Sequence, residues 1–278
     1  MAFEKAGNIL RDAYKNGYGV AAFNIFNYET IQLAILTAEE EKKPVIIAFY
    51  PGFLNYISFD VVADITRSMA RRVSVPVGLH LDHCHDLATI VQAMDAGFDS
   101  VMYDGSRLPF DENVRTTLEV VQAAKARGID VEAELGAVGS AANAADFSDS
   151  AKFTTVEEAA EFCERTGCTS LAVAVGNAHG NYVQEPKLDL PRIKAISTAT
   201  GIPVVLHGGS GIPDGQISSA IKNGIAKINV ATEYHQAYFQ AVANRVNTSQ
   251  DKDMYTCAKK AAPDIRSFLA QKINLFSK

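Results

Sequence analysis

A short apolar run followed by a helix-patterned stretch recurs about eight times in this 278-residue chain, and that repetition limits the folds available to it more than any other feature. The runs are Gly19–Phe23, Pro44–Phe49, Val75–Leu81, Phe98–Tyr103, Ile129–Leu135, Thr169–Val175, Ile202–His207 and Ala226–Val230. Each is rich in Val, Ile and Leu, and each is bounded by Gly, Pro or polar residues. Continuous hydrophobicity, rather than alternation, suits parallel strands covered on both faces. Between them, Tyr28–Glu41, Ala88–Ala96, Asn113–Arg127, Thr155–Arg165 and Leu190–Thr200 carry apolar residues at helical spacing, most with a Gly close after. About eight βα units at this length predict a single (β/α)8 barrel over residues 1–278, with a doubly wound open sheet as the alternative. Residues from Tyr234 to Lys278 read as terminal helices, with Pro263 starting the last one.

Composition narrows the partners. The formal charge is −6, so broad electrostatic capture of nucleic acid is not expected. No apolar run approaches the roughly 20 residues of a membrane span. The N-terminal MAFEKAGNIL lacks a basic-then-apolar export pattern, and Cys84, Cys163, Cys168 and Cys257 form no C-x-x-C pair. Reduced thiols in a cytoplasmic protein are the expectation.

In a barrel of this kind, chemistry sits at the C-terminal ends of the strands. Three of the six histidines fall there: His83 in LHLDHCHD, His179 in VGNAHGNY and His207 in VLHGGSG. A barrel would bring them into one ring, and three imidazoles with an open fourth position suit a catalytic zinc ion. The competing reading is three unrelated polar residues lining a cleft. His80, inside its strand, reads as a buried hydrogen-bonded side chain; His85 could support the site from behind, and His235 has no assigned role. Asp82, beside His83, is a candidate acid/base or a residue that orients a ligand. Asp104, Glu134 and Glu132 end or line the fourth and fifth strands, where they could hold a second cation or simply polarise the barrel mouth.

His207-Gly208-Gly209-Ser210-Gly211 follows the seventh run, and Asn229-Val230-Ala231-Thr232 ends the eighth. Loops after strands seven and eight commonly form a phosphate site with a helix N-terminus. Glycines admit an anion to backbone N–H groups, and Gly180 could join from the sixth unit. A Lewis-acidic metal beside a gripped phosphate suits carbonyl polarisation and C–C bond chemistry.

The blocks LHLDHCHD, SVMYDGS, VEAELG, AVGNAHGNY, VVLHGGSGIP and KINVATE, in this order, resemble the signature of class II metal-dependent ketose-bisphosphate aldolases, closest to the tagatose- and fructose-1,6-bisphosphate branch. The resemblance implies reversible cleavage of a ketose (bis)phosphate to dihydroxyacetone phosphate and an aldehyde through a zinc-stabilised enediolate. It implies His83, His179 and His207 as zinc ligands and Asp82 as the acid that protonates the aldehyde oxygen. Gly180, Gly208, Gly209, Ser210, Asn229, Val230, Ala231 and Thr232 would contact the phosphate-bearing half. It further implies a monovalent cation and a homodimer or homotetramer. The chain departs from the family pattern in the loop GAVGSAANAADFSDS, where only Asp146 and Asp149 could replace an acidic base; Asn177 stands where Thr is usual. YPGFLNY lacks the serine that holds a distal phosphate, which points to an unphosphorylated or unusual sugar aldehyde unless Arg266 from a neighbouring subunit supplies the grip. The alternatives are an imine-forming aldolase using Lys227, a metal-dependent hydrolase, and a catalytically impaired partner subunit.

Overall fold

The computed structural model describes residues 2–136, 138–248 and 253–278, so Ala137 of the altered loop lies outside them. Eight parallel strands close into a barrel: β1 Val20–Ile25, β2 Val45–Phe49, β3 Val77–Cys84, β4 Ser100–Tyr103, β5 Asp130–Leu135, β6 Ser170–Val173, β7 Val204–Leu206 and β8 Ile225–Val230. Each pairs with its sequence neighbours, and β1 pairs with β8 through Val20–Lys227 to Phe23–Val230. The fold is a (β/α)8 barrel with a C-terminal helical extension. The eight runs correspond to these strands within two residues at the N-terminal ends and three at the C-terminal ends.

The helices are α1 Ala6–Asn16, α2 Tyr28–Glu41, α3 Phe59–Ala70, α4 Leu87–Ala96, α5 Phe110–Lys125, α6 Val156–Thr166, α7 Leu190–Thr200, α8 Asp214–Lys222, α9 Thr232–Thr248 and α10 Met254–Phe276. Asn27 and Thr155 start α2 and α6 with capping boxes, their side chains accepting from Thr30 N and Glu158 N. Outward strand residues such as Phe23, Ile47, Leu79, Val101 and Leu206 bury against the helices in one continuous core. Inside the barrel the filling differs from bottom to top. Apolar Ile46, Ala48 and Ala226 meet α1 at the N-terminal mouth. Higher up, His80, Glu132 and Lys227 are buried, and above them lie Asn24, Asp82, His207 and Asn229.

Pro263 does not start the last helix; α10 runs through it. Cys257, Ala261, Ile265, Leu269 and Ile273 recur every fourth residue on one buried stripe, which continues on both sides of the proline. Pro263 itself is exposed, so the hydrogen bond its ring removes lies on the wet side, where water can replace it. Among the described residues, no helix is long and apolar enough to cross a membrane.

Candidate active site

The site begins with an irregularity in β3. His80 and Asp82 point into the barrel by strand parity, so a regular strand would turn His83 outward. Instead, the register between β3 and β4 shifts between Leu81 and Cys84, and His83 adopts φ +47°. That left-handed conformation costs a non-glycine residue about 1–2 kcal/mol. It brings Asp82 and His83 to the same mouth. His179 arrives in a two-residue bridge, Ala178–His179, paired with Gly139–Ser140, and His207 directly follows β7.

The three rings meet. His83 Nε2 lies 2.7 Å from His207 Nδ1 and 3.1 Å from His179 Nε2. Their outer nitrogens face acceptors. His83 Nδ1 donates to Asp104 Oδ2 at 3.1 Å, His207 Nε2 donates to Glu132 Oε1 at 2.8 Å, and His179 has a backbone hydrogen bond with Val138. In their neutral forms, with protons held outward, the inward nitrogens present only lone pairs, which cannot hydrogen-bond to one another. A cation at their centre satisfies all three, and three imidazoles are a fitting donor set for zinc. Burial pushes His83 down, but the negative charges of Asp82, Asp104 and Glu134 outweigh it and lift this imidazole to about 9. Burial and neighbouring imidazole charge push His179 down to about 3 and His207 below its usual range. The carboxylates of Asp82, Asp104 and Glu134 around the trio favour a positive charge there.

Asp82 stands beside the trio. Its Oδ2 accepts from Asn24 Nδ2 at 2.7 Å and its Oδ1 from Asn229 Nδ2 at 2.8 Å. Burial opposes ionisation, yet the positive groups at His83, His207 and Lys227 hold the carboxyl well below its usual range. Asn24 Oδ1 and Asn229 Oδ1 are buried without a protein partner. Such orphaned acceptors cost about 1–3 kcal/mol each unless a ligand or water donates to them. Sequence reasoning missed Asn24; its signal was a lone amide at an inward position of the apolar VAAFNI.

Below this layer Lys227 Nζ donates to Glu132 Oε1 at 2.9 Å, Glu132 Oε2 at 2.8 Å and His80 Nε2 at 3.3 Å, and His80 Nδ1 meets Ser100 Oγ at 2.8 Å. All three ammonium protons are engaged and the side chain is fully buried, so Lys227 is a structural cation with no free lone pair for imine formation.

The cradle is built from backbone. Gly208 has φ +62°, and a Cβ there would lie 2.0 Å from the carbonyl oxygen of Ala178. Gly180, Gly208, Ser210, Ala231 and Thr232 line the same cavity of about 210 Å³ as the three histidines, at the N-terminus of α9. Ser210 Oγ accepts from Glu233 N at 3.2 Å. Tyr182, also missed from sequence, ties the cradle together: its hydroxyl accepts from Ala178 N at 2.7 Å and donates to the Gly208 carbonyl at 3.0 Å. The Val230 side chain lies in the outer core, so this position faces the cradle with its backbone only. Gly209 packs against Ile228 behind the lining residues.

Other expected residues fall into place differently. Asn177 accepts from Val175 N and donates to the His207 carbonyl, which fixes that ligand's backbone. Asp146 is half-buried and accepts from Ser140 N and Asn143 Nδ2, while Asp149 caps Ala151; neither lines the cavity. Arg266 is ion-paired with Glu40 of its own chain. His85 donates to the Asp104 carbonyl at 2.7 Å. His83, Asp104 and Glu134 form a second group with cation-ligand spacing; burial and the charge of Asp104 push Glu134 up to about 8. His235, given no role beforehand, lines the cavity with Tyr50 and Phe53 and donates to the Asn24 carbonyl at 3.0 Å.

A closed barrel with this centre defines an aldolase-type site, and comparison with known proteins gives the same class. The family model for fructose-bisphosphate aldolase class-II matches residues 4–278, so the chain belongs to the class II aldolase family, as a carbon–carbon lyase. Its relatives include YdjI of Escherichia coli K12, 42% identical over 95% of this chain and 94% of the relative. The crystal structure of that protein, described as an aldolase, superposes with a TM-score of 0.88 at 39% identity, covering 99% of this chain and 97% of the other. The tagatose-1,6-bisphosphate aldolase subunit GatY of Klebsiella oxytoca is 42% identical over 88% of this chain and 86% of its own. A sulfofructosephosphate aldolase of Alkalicoccus urumqiensis is 41% identical over 87% and 85%.

Proposed function

We propose that the chain cleaves a ketose phosphate reversibly into dihydroxyacetone phosphate and an aldehyde, using a zinc ion held by His83, His179 and His207. The carrying observation is the convergence of three imidazole lone pairs beside a buried carboxylate and a glycine-lined cradle. When bound, zinc supplies Lewis acidity to the ketone and adjacent hydroxyl oxygens. Gly180, Gly208, Ser210, Ala231 and Thr232 bind the phosphate through backbone donors and hydroxyls. Asp82, ionised and oriented by Asn24 and Asn229, takes the hydroxyl proton when the C–C bond breaks and returns it to the aldehyde oxygen when the bond forms. The unpartnered Asn24 and Asn229 carbonyl oxygens accept substrate hydroxyls.

The activities for which two relatives are named, on a bisphosphate and on a sulfo-substituted phosphate, favour a substrate with a second anionic end. The four cysteines, carried as thiols, suit a reducing, cytoplasmic setting. Exposed Phe239, Met254 and Tyr255 on α9 and α10 suit a homo-oligomer. The complete histidine trio favours an active enzyme over an impaired partner subunit. His179→Ala tests the reading: zinc content and dihydroxyacetone phosphate release should fall to background while the circular dichroism spectrum stays that of the folded barrel. Wild-type zinc content in this variant would remove the ligand assignment.

A further inference from the structure

The mouth of the barrel has two lobes. One is the cavity that holds the cradle; the other, of about 260 Å³, lies across a shared wall formed by Tyr50, His83 and His179. No lysine or arginine lines the first lobe among the described residues. The second holds one, Arg107, in the loop between β4 and α5.

That loop is tied to the metal centre. Ser106 donates to Asp104 Oδ1 through its backbone N–H at 3.1 Å and its hydroxyl at 2.7 Å, and Asp104 Oδ2 accepts from His83 Nδ1. Leu108 N closes the turn onto the Gly105 carbonyl at 2.9 Å. Arg107 is thus carried on a braced turn although its side chain is exposed. Of the two carboxylates that line this lobe, Asp104 is engaged by His83 and Ser106, and Glu134 is buried at its base, whereas the Arg107 side chain is exposed. A guanidinium stays charged throughout the working pH range and offers a fork of donors to an oxyanion. The two lobes share Tyr50, His83 and His179, so a substrate with its phosphate in the first and its reacting carbons at the imidazoles would reach the second with its far end.

We propose that Arg107 is the specificity residue for the aldehyde half of the substrate, binding an anionic group at its far end: a carboxylate, a sulfonate or a phosphate. This rests on the aldolase reading above and extends it from the phosphate-bearing half to the acceptor half.

The test condenses dihydroxyacetone phosphate with a panel of short aldehydes ending in carboxylate, sulfonate, phosphate or a neutral hydroxyl, using wild type and Arg107→Ala. Solvent-deuterium exchange into dihydroxyacetone phosphate alone is followed in parallel. The wild type should prefer the anionic aldehydes. The variant should lose roughly three- to tenfold in kcat/KM for them, through KM, with less than about twofold change for the neutral one. The KM for anionic aldehydes should rise with salt in the wild type, and this dependence should weaken in the variant. Exchange into dihydroxyacetone phosphate should be the same in both proteins. An unchanged anionic-to-neutral ratio in Arg107→Ala overturns the assignment, as does a wild-type preference for the neutral aldehyde. Losses confined to one member of the panel identify which anion the site takes. Absence of exchange in the wild type itself overturns the aldolase reading, and the assignment with it.

Discussion

The two ends of the barrel are built from the same strands and do opposite things with polar groups. At the bottom, α1 lies across the mouth and its polar contacts are partnered. Asp99 accepts from Ala6 N at 2.7 Å and Leu79 N at 3.0 Å, Arg11 pairs with Asp130 at 2.7 Å, and Tyr14 donates to the Ser197 carbonyl at 2.9 Å. Ile9, Leu10 and Ala13 close the apolar floor. At the top, three lone pairs face one another, and Asn24 Oδ1, Asn229 Oδ1 and Glu134 Oε2 are buried without partners. The bottom completes its own interactions and so contributes stability. The top leaves polar groups without hydrogen-bond partners, and it includes a residue in a costly backbone conformation, His83. In between, the Lys227–Glu132 pair connects the floor to a ligand, since Glu132 also holds His207.

This contrast can be broken at three heights. Asp82→Ala, at the top, should lower cleavage by about 10²- to 10⁴-fold with zinc content nearly unchanged. Near-normal turnover would move the proton transfer to another group. Lys227→Met, in the middle, should act on both properties. Leaving the Glu132 carboxylate buried and unpaired should cost about 3–5 kcal/mol of stability, read by urea unfolding. Loosening the His207 partner should weaken zinc binding by about 10- to 100-fold, read by chelator competition. Wild-type zinc affinity in a folded Lys227→Met protein would separate the middle layer from the site. Leu10→Ala, at the bottom, should cost about 2–5 kcal/mol of stability and leave the kcat of the folded enzyme within about twofold. A large fall in kcat there would show that the two ends are coupled.

The strands were legible because each is a local signal. Five consecutive buried residues, as in Val45–Phe49, need only their own composition and flanking turns to be recognised. Helices α2 and α7 match the expected Tyr28–Glu41 and Leu190–Thr200 residue for residue, because Asn27 and Asp189 cap one end and αL residues, Lys42 and Gly201, close the other. Pro263 misled because a local breaker was outweighed by a stripe whose burial depends on the surrounding barrel. Asn24 escaped notice because its role is defined only by Asp82, 58 residues away, and His235 because the cavity it lines is assembled from distant loops. The altered loop left the base open in the sequence, and Asp146 is turned onto its own loop.

The amino-acid sequence by itself determined the βα repetition, the histidines at three strand ends and the glycine-rich turns, all of which are properties of neighbouring residues. Tertiary structure alone decided which nitrogen of each histidine faces the centre, that Asp82 and His83 share one mouth, and that Lys227 is saturated and not reactive. These depend on partners 21 to 147 residues apart along the chain. No local pattern encodes such pairings, because only closure of the barrel brings the partners within hydrogen-bonding distance.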